Sequence, residues 1–102
     1  MLPFERLYKS NTIDNLWLYI LSLAKNGSIY AYQIPKNIKE KFRFQPGKIT
    51  PYRVLYQLEK DGFVKSRLME RKRVYEITEK GREEINKAKR FYIKIGKILL
   101  KD

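Results

Sequence analysis

The chain contains no cysteine and no histidine. Without cysteine there is no disulfide framework and no thiolate metal site, and a reducing cytoplasm is the expected setting. Without histidine, the side chain that most often serves as general base and zinc ligand is missing. No apolar run approaches the roughly 18 residues that would span a bilayer, and the opening MLPFERLYK lacks the hydrophobic core of a signal peptide. A glycine-rich phosphate loop, a paired-carboxylate constellation and a serine with a base partner are all absent as well. These gaps argue against an enzyme, against a metal site and against a bound cofactor. They favour a soluble cytoplasmic protein.

What the sequence has in excess is positive charge: 23 lysines and arginines against 11 acidic residues, a net +12, with a pI near 10.0. Such a field attracts phosphate and favours polyanionic partners. The excess is not confined to a tail. Residues 1–47 carry seven basic and three acidic side chains, 48–78 carry eight and four, and 79–102 carry eight and four. Net charge therefore cannot localise a binding surface, and only the placement of charges on particular faces can. A length of 102 residues suits one domain with a modest core.

Residues 1–12 read as an N-terminal extension, with Leu2, Phe4, Leu7 and Tyr8 in a short amphipathic patch. From Asn11 or Thr12, either a suitable cap, a firm helix is expected, with Ile13, Leu16, Trp17, Ile20, Leu21 and Leu23 on the core side and Asn26–Gly27 as its exit. Trp17 reads as a core residue. Ser28 to Phe44 reads as a second helix starting near Tyr32, since Pro35 must lie in its first turn; Ile34, Ile38 and Phe42 form its buried stripe. Pro46–Gly47 marks a turn.

The next stretch, TPYRVLYQLEKDG, is the most informative. Thr50 is expected to cap a helix whose first residue is Pro51. Val54, Leu55 and Leu58 fall on one side, leaving Tyr52, Arg53, Tyr56, Gln57 and Lys60 on the other. That outer face is cationic, aromatic and amide-bearing, which is a nucleic-acid signature. Gly62 ends the helix. Two strand-like runs follow, Phe63 to Met69 and Val74 to Ile77, joined through Glu70, Arg71 and Lys72. Lys65, Arg67, Arg71, Lys72 and Arg73 crowd into this hairpin, and Lys48 stands just before the helix, where phosphate is welcome. Thr78 should cap a last helix, Glu79 to about Leu100. Ile85, Ala88, Tyr92, Ile95 and Leu99 form a two-heptad seam on it, widened by Phe91 and Ile98. At 1.5 Å per residue this helix is roughly 33 Å long, more than so small a body needs, and a second copy of the chain is the simplest cover for the surplus seam.

The element order, three helices, a two-stranded wing and a long helix, is that of a winged helix-turn-helix. Three motifs carry a closer resemblance: TPYRVLYQLEKDGFV resembles the family segment TLYPALRRLEEEGLV, VYEITEKGRE resembles YYRLTEEGRE, and SIYAYQI is similar to YGYEI. Over about residues 13–90 the chain resembles the PadR-like transcriptional regulators. Ala31 stands where that family has glycine, Pro51 where it has leucine and Arg53 where it has proline.

The resemblance implies a homodimeric, repressor-type regulator of double-stranded DNA. It implies a mainly α fold with a small β-hairpin: a winged domain over 13–78, with a three-helix core and a two-stranded wing, then a dimerisation helix over 79–102. Thr50, Tyr52, Arg53 and the exposed part of that helix take the groove-facing role, and Lys65 to Arg73 the wing role. Arg53 and Gln57 suit base edges, guanine and adenine respectively, whereas Lys48, Thr50, Tyr52, Tyr56 and Lys60 suit phosphate. Many relatives sense small aromatic compounds, yet no residue pattern here marks a pocket for one. Two competing readings use the same residues: a basic adaptor that binds protein through its winged helix, and a membrane-surface helix in KRFYIKIGKILLK. Against the first stands a cationic helix paired with a cationic wing. Against the second, the heptad seam explains the same residues by dimerisation.

Overall fold

The helix expected from Thr12 begins later, and Thr12 itself is the reason. In the computed structural model, which describes residues 1–101, α1 (Pro3–Ser10) is followed by a 3-10 turn at Ile13–Asn15 and then by α2 (Leu16–Ala24). Thr12 is buried, and its hydroxyl donates to the Tyr8 carbonyl at 2.6 Å. It therefore closes α1 instead of capping α2. Asn11 likewise points back, its backbone and side-chain N–H groups both donating to the Leu7 carbonyl. Ile13 is left exposed, and Leu16, Ile20, Leu21 and Ala24 carry the buried face of α2. Trp17 and Leu23 are only partly buried against that core.

The segment 28–44, expected as a helix starting near Tyr32, divides in three: β1 (Ile29–Tyr30), a 3-10 turn at Ala31–Gln33, and α3 (Ile34–Phe42) with Pro35 in its first turn as expected. A strand forms here because the wing offers an edge whose backbone groups need partners. The wing strands β2 (Val64–Met69) and β3 (Lys72–Ile77) are antiparallel, and β1 pairs with the free side of β3 through Ile29↔Tyr75 and Tyr30↔Val74. The sheet thus has three strands in the order β1-β3-β2, not two.

The helix α4 (Thr50–Lys60) also starts one residue earlier than expected. Thr50 lies inside it, Ile49 occupies the cap position, and no side chain caps the end. Pro51, Leu55 and Leu58 are buried and Val54 is partly buried. Its C-terminus is tightly specified: the Phe63 N–H donates to the Leu58 carbonyl at 2.8 Å and the Gly62 N–H to the Glu59 carbonyl at 3.1 Å. Gly62 supplies the left-handed φ of 85° that this paired closure needs.

At the wing tip the connection is Glu70–Arg71 alone, because Lys72 is already paired with Met69 in the ladder. Both residues have positive φ, 51° and 68°. That pattern suits a two-residue hairpin turn, where Asn-Gly is the favoured pair. A side chain in the left-handed region costs about 1–2 kcal/mol. Arg71→Gly is accordingly expected to raise the midpoint of thermal unfolding by several degrees, measured by circular dichroism; an unchanged or lower midpoint would mean that the turn relaxes without strain.

The long helix α5 (Glu79–Leu100) is capped as expected: the Thr78 hydroxyl accepts from the Gly81 N–H at 3.1 Å and donates to the Gly62 carbonyl at 2.7 Å. One core joins all the elements from α2 onward, with Ile20, Leu21, Ile34, Ile38, Leu55 and Val64 almost fully enclosed and Ile85 of α5 closing it. Tyr19 packs edge-on against Phe42 and Phe44 at 4.8 and 4.9 Å between ring centres. Past this body α5 continues outward, giving extents of 53 × 29 × 22 Å and a radius of gyration of 14.8 Å. A compact chain of this length would have roughly 13 Å. Among the described residues no helix is long and apolar enough to cross a membrane.

Candidate nucleic-acid interface

At 3.6 residues per turn, the buried side of α4 centres on Pro51, Leu55 and Leu58. The opposite ridge runs through Ile49, Arg53, Tyr56 and Lys60. Tyr52 flanks it, and both tyrosines point to solvent, with Tyr56 68% exposed and Tyr52 47%. Lys48 and Thr50 are also exposed. Among the described residues the side chains of Lys48, Tyr52, Arg53, Tyr56 and Lys60 have no hydrogen-bond or ion-pair partner. Gln57 differs. It sits toward the side of the ridge and its amide donates to Asp61 Oδ2 at 2.9 Å, so adenine readout by Gln57 requires that bond to open.

The wing cations divide into committed and free. Arg67 pairs with Glu76 at 3.0 Å, and Arg73 donates to Ser66 Oγ at 2.9 Å, while Ser66 in turn donates to Glu59 of α4. The relay Arg73–Ser66–Glu59 therefore holds the hairpin against the helix. Glu59 was not foreseen as part of any site, yet it gives this relay its carboxylate. Lys72 lies over the stacked rings of Tyr32 and Tyr30, 5.1 and 5.9 Å from their centres. Lys65 and Arg71 are exposed and have no ion-pair partner among the described residues. The wing thus presents two free cations on a frame braced by the other three.

The back of α4 meets α5. Lys80 donates to the Asp61 carbonyl at 2.7 Å and covers the Phe63 ring at 4.7 Å, so the first turn of α5 grips the end of α4. A groove of about 480 Å³ runs between α2, α4 and α5, with Trp17, Val54 and Phe63 among its walls. Behind the body, Lys25 faces Lys89, and this contact, ahead of burial, holds Lys25 below the usual lysine range. In the sheet, burial and then the Glu59 charge push the Tyr75 phenol up. Neither shifted group lies on the α4 ridge.

On α5, the predicted seam residues divide as well. Ile85 is spent in the chain's own core and Ala88 is partly buried, whereas Phe91, Tyr92, Ile95, Ile98 and Leu99 are exposed, joined by Ile93 and Leu100. The whole of α1 is exposed too, and the Tyr92 hydroxyl donates to Asn11 Oδ1 at 2.6 Å just past its end. Among the described residues no cluster of acidic side chains is arranged to hold a metal ion.

The sequence pattern of the transcriptional regulator PadR-like family matches residues 20–87, from the middle of α2 into α5. The chain belongs to this family. Solved structures agree. A transcriptional regulator from Clostridium thermocellum is 31% identical, aligns over 84% of this chain and 90% of its own, and superposes with a TM-score of 0.75. Bacillus subtilis PadR, solved in complex with operator DNA, is 28% identical over 71% of this chain with a TM-score of 0.65. The match spans only 45% of that longer protein. A winged-helix DNA-binding protein from the virus STIV, 18% identical with a TM-score of 0.71, shares the fold. Comparison with curated proteins yields no match. The fold is the PadR-like winged helix, and the chain is a transcriptional regulator of that family.

Proposed function

We propose that the protein is a sequence-specific, repressor-type regulator that binds double-stranded DNA as a homodimer on a pseudo-palindromic site. The observation that carries this reading is the α4 ridge, cationic and aromatic, unpartnered among the described residues, with a braced cationic wing beside it. Bacillus subtilis PadR, a relative that binds operator DNA, supports the same role. Two α4 helices enter successive major grooves about 34–36 Å apart. Arg53 contacts base edges through its two-point donor fork, while Tyr52, Tyr56, Thr50, Lys60 and Lys48 fix register on phosphate. Lys65 and Arg71 extend the phosphate contacts from the wing. The exposed apolar part of α5, from Phe91 to Leu99, is the cover between the two copies; burying it removes an apolar surface that a soluble chain rarely leaves open.

Selection of duplexes from a random pool, together with a mass measurement of the free protein, tests the proposal. A palindromic winner and a dimeric mass support it. No salt-dependent duplex binding at all would instead favour a protein-binding adaptor. Residue roles follow from two variants. Arg53→Ala is expected to weaken the selected duplex about 10- to 100-fold and relax the preference at one position, since a good two-point base contact contributes roughly 1–3 kcal/mol. Arg71→Gly is expected to weaken selected and random duplexes alike and to reduce the salt slope by about one ion. If both variants acted equally on both duplexes, the division into reading and anchoring residues would be wrong.

A further inference from the structure

Ile49 combines two unusual properties. It is 66% exposed, and it heads the α4 ridge, one turn before Arg53 and directly opposite the buried Leu58 and Pro51. It also stands at the head of the helix with its backbone already in the helical region, φ −91° and ψ −35°, and its side chain makes no hydrogen bond. A branched hydrocarbon facing water on a ridge that otherwise carries Arg53, Tyr56 and Lys60 breaks the helix's apolar-in, polar-out pattern without burying its side chain among the described residues. Such departures are expected where a residue serves function instead of stability.

In the docking described above, the first residues of the helix are those that meet base edges. The only hydrocarbon group that a Watson–Crick base pair shows in the major groove is the C5-methyl of thymine, which apolar side chains contact. We infer that Ile49 is a specificity-determining residue that reads a thymine methyl group in each half-site. This rests on the DNA-binding role of α4 and adds an apolar element to a ridge whose other readers are polar. Arg53, one turn on, then reads a neighbouring base pair, so the recognised step joins a thymine to a guanine-bearing pair.

Uracil substitution isolates this contact, because it removes only the methyl group and leaves the pairing edge intact. In the selected duplex, each thymine is replaced in turn by deoxyuracil and binding is measured with the wild-type protein, Ile49→Ala and Ile49→Ser. The expected result is at least one symmetry-related pair of positions where uracil weakens wild-type binding roughly fourfold per half-site, the effect of withdrawing one methyl from apolar contact. Both variants should lose that sensitivity while keeping the wild-type salt slope. Both variants should keep the wild-type unfolding midpoint, because the Ile49 side chain is exposed and makes no hydrogen bond, so their loss of thymine preference cannot come from misfolding.

The inference is overturned if no thymine is sensitive to demethylation, or if the variants keep the wild-type sensitivity at every position. Those outcomes would leave a preferred duplex and salt-dependent binding in place. Loss of any sequence preference in the wild type would overturn the DNA-reading role itself, and this inference with it.

Discussion

Gly81→Ala is expected to lower the unfolding midpoint by about 5–15 °C. Gly81 lies in the first turn of α5 and is buried there. A Cβ at this position would come within 2.3 Å of the Phe63 carbonyl oxygen and 2.8 Å of Ile77 Cγ1. The oxygen cannot simply retreat, because it accepts the Thr78 N–H at 3.1 Å and belongs to the same short junction that closes α4. Overpacking of this kind costs roughly 1–3 kcal/mol and occasionally more, and in a domain of this size each kcal/mol shifts the midpoint by about 4–8 °C.

The better helix propensity of alanine offsets at most about 1 kcal/mol. Gly96, farther along the same helix, has, apart from its chain neighbours and the adjacent backbone of its own helix, no described atom within 4 Å of an added Cβ. Gly96→Ala therefore serves as the control and should leave the midpoint equal or higher. Thermal melts of both variants make the comparison, and equal small shifts would show that the junction yields easily.

The consequence reaches function because the same junction transmits position from α5 to α4. Thr78 bonds to Gly62, Lys80 to Asp61, and Gly81 rests on Phe63. If α5 pairs two copies, this contact sets how far apart and at what angle the two α4 ridges stand.

The second large effect concerns that pairing. Phe91→Glu combined with Ile98→Glu is expected to turn a dimer into a monomer, read as a halved mass in light scattering, and to weaken the full pseudo-palindromic site by about 10²- to 10⁴-fold. Binding to a single half-site should stay the same. Both positions are exposed in the isolated chain, so the winged domain keeps its core and the melting of that domain should change little. Charges placed in a dry apolar seam cost far more than the same charges in water, which is why dissociation is the expected response. A doubly charged variant that still runs as a dimer would move the interface elsewhere, and the exposed face of α1 would be the next surface to test.

The elements that could be read from the chain alone are those governed by short-range rules. The span of α5 from Glu79 to Leu100, its Thr78 cap, the Gly62 stop of α4, the burial of Leu55 and Leu58 and the antiparallel wing all follow from spacing, capping and turn chemistry within a few residues. The outward direction of Arg53, Tyr56 and Lys60 follows in the same way, since a helix with one apolar stripe has only one other side. Three features escaped because each depends on a partner in another strand or helix. Ile29–Tyr30 becomes a strand only because β3 offers an edge more than 40 residues away. Arg67 and Arg73 are withdrawn from the free cations by Glu76 and by the Ser66–Glu59 relay. Ile85 is taken from the seam by the core beneath it.

The sequence by itself determined the class of fold, the helix that presents the candidate interface and the sign of its charge, because those depend on local periodicity and composition. Which of its cations remain free, and that Ile49 instead of Thr50 stands at the head of α4, was decided by tertiary structure. Packing sets where a helix begins and which side chains find partners, and those choices are made between segments that the linear order keeps apart.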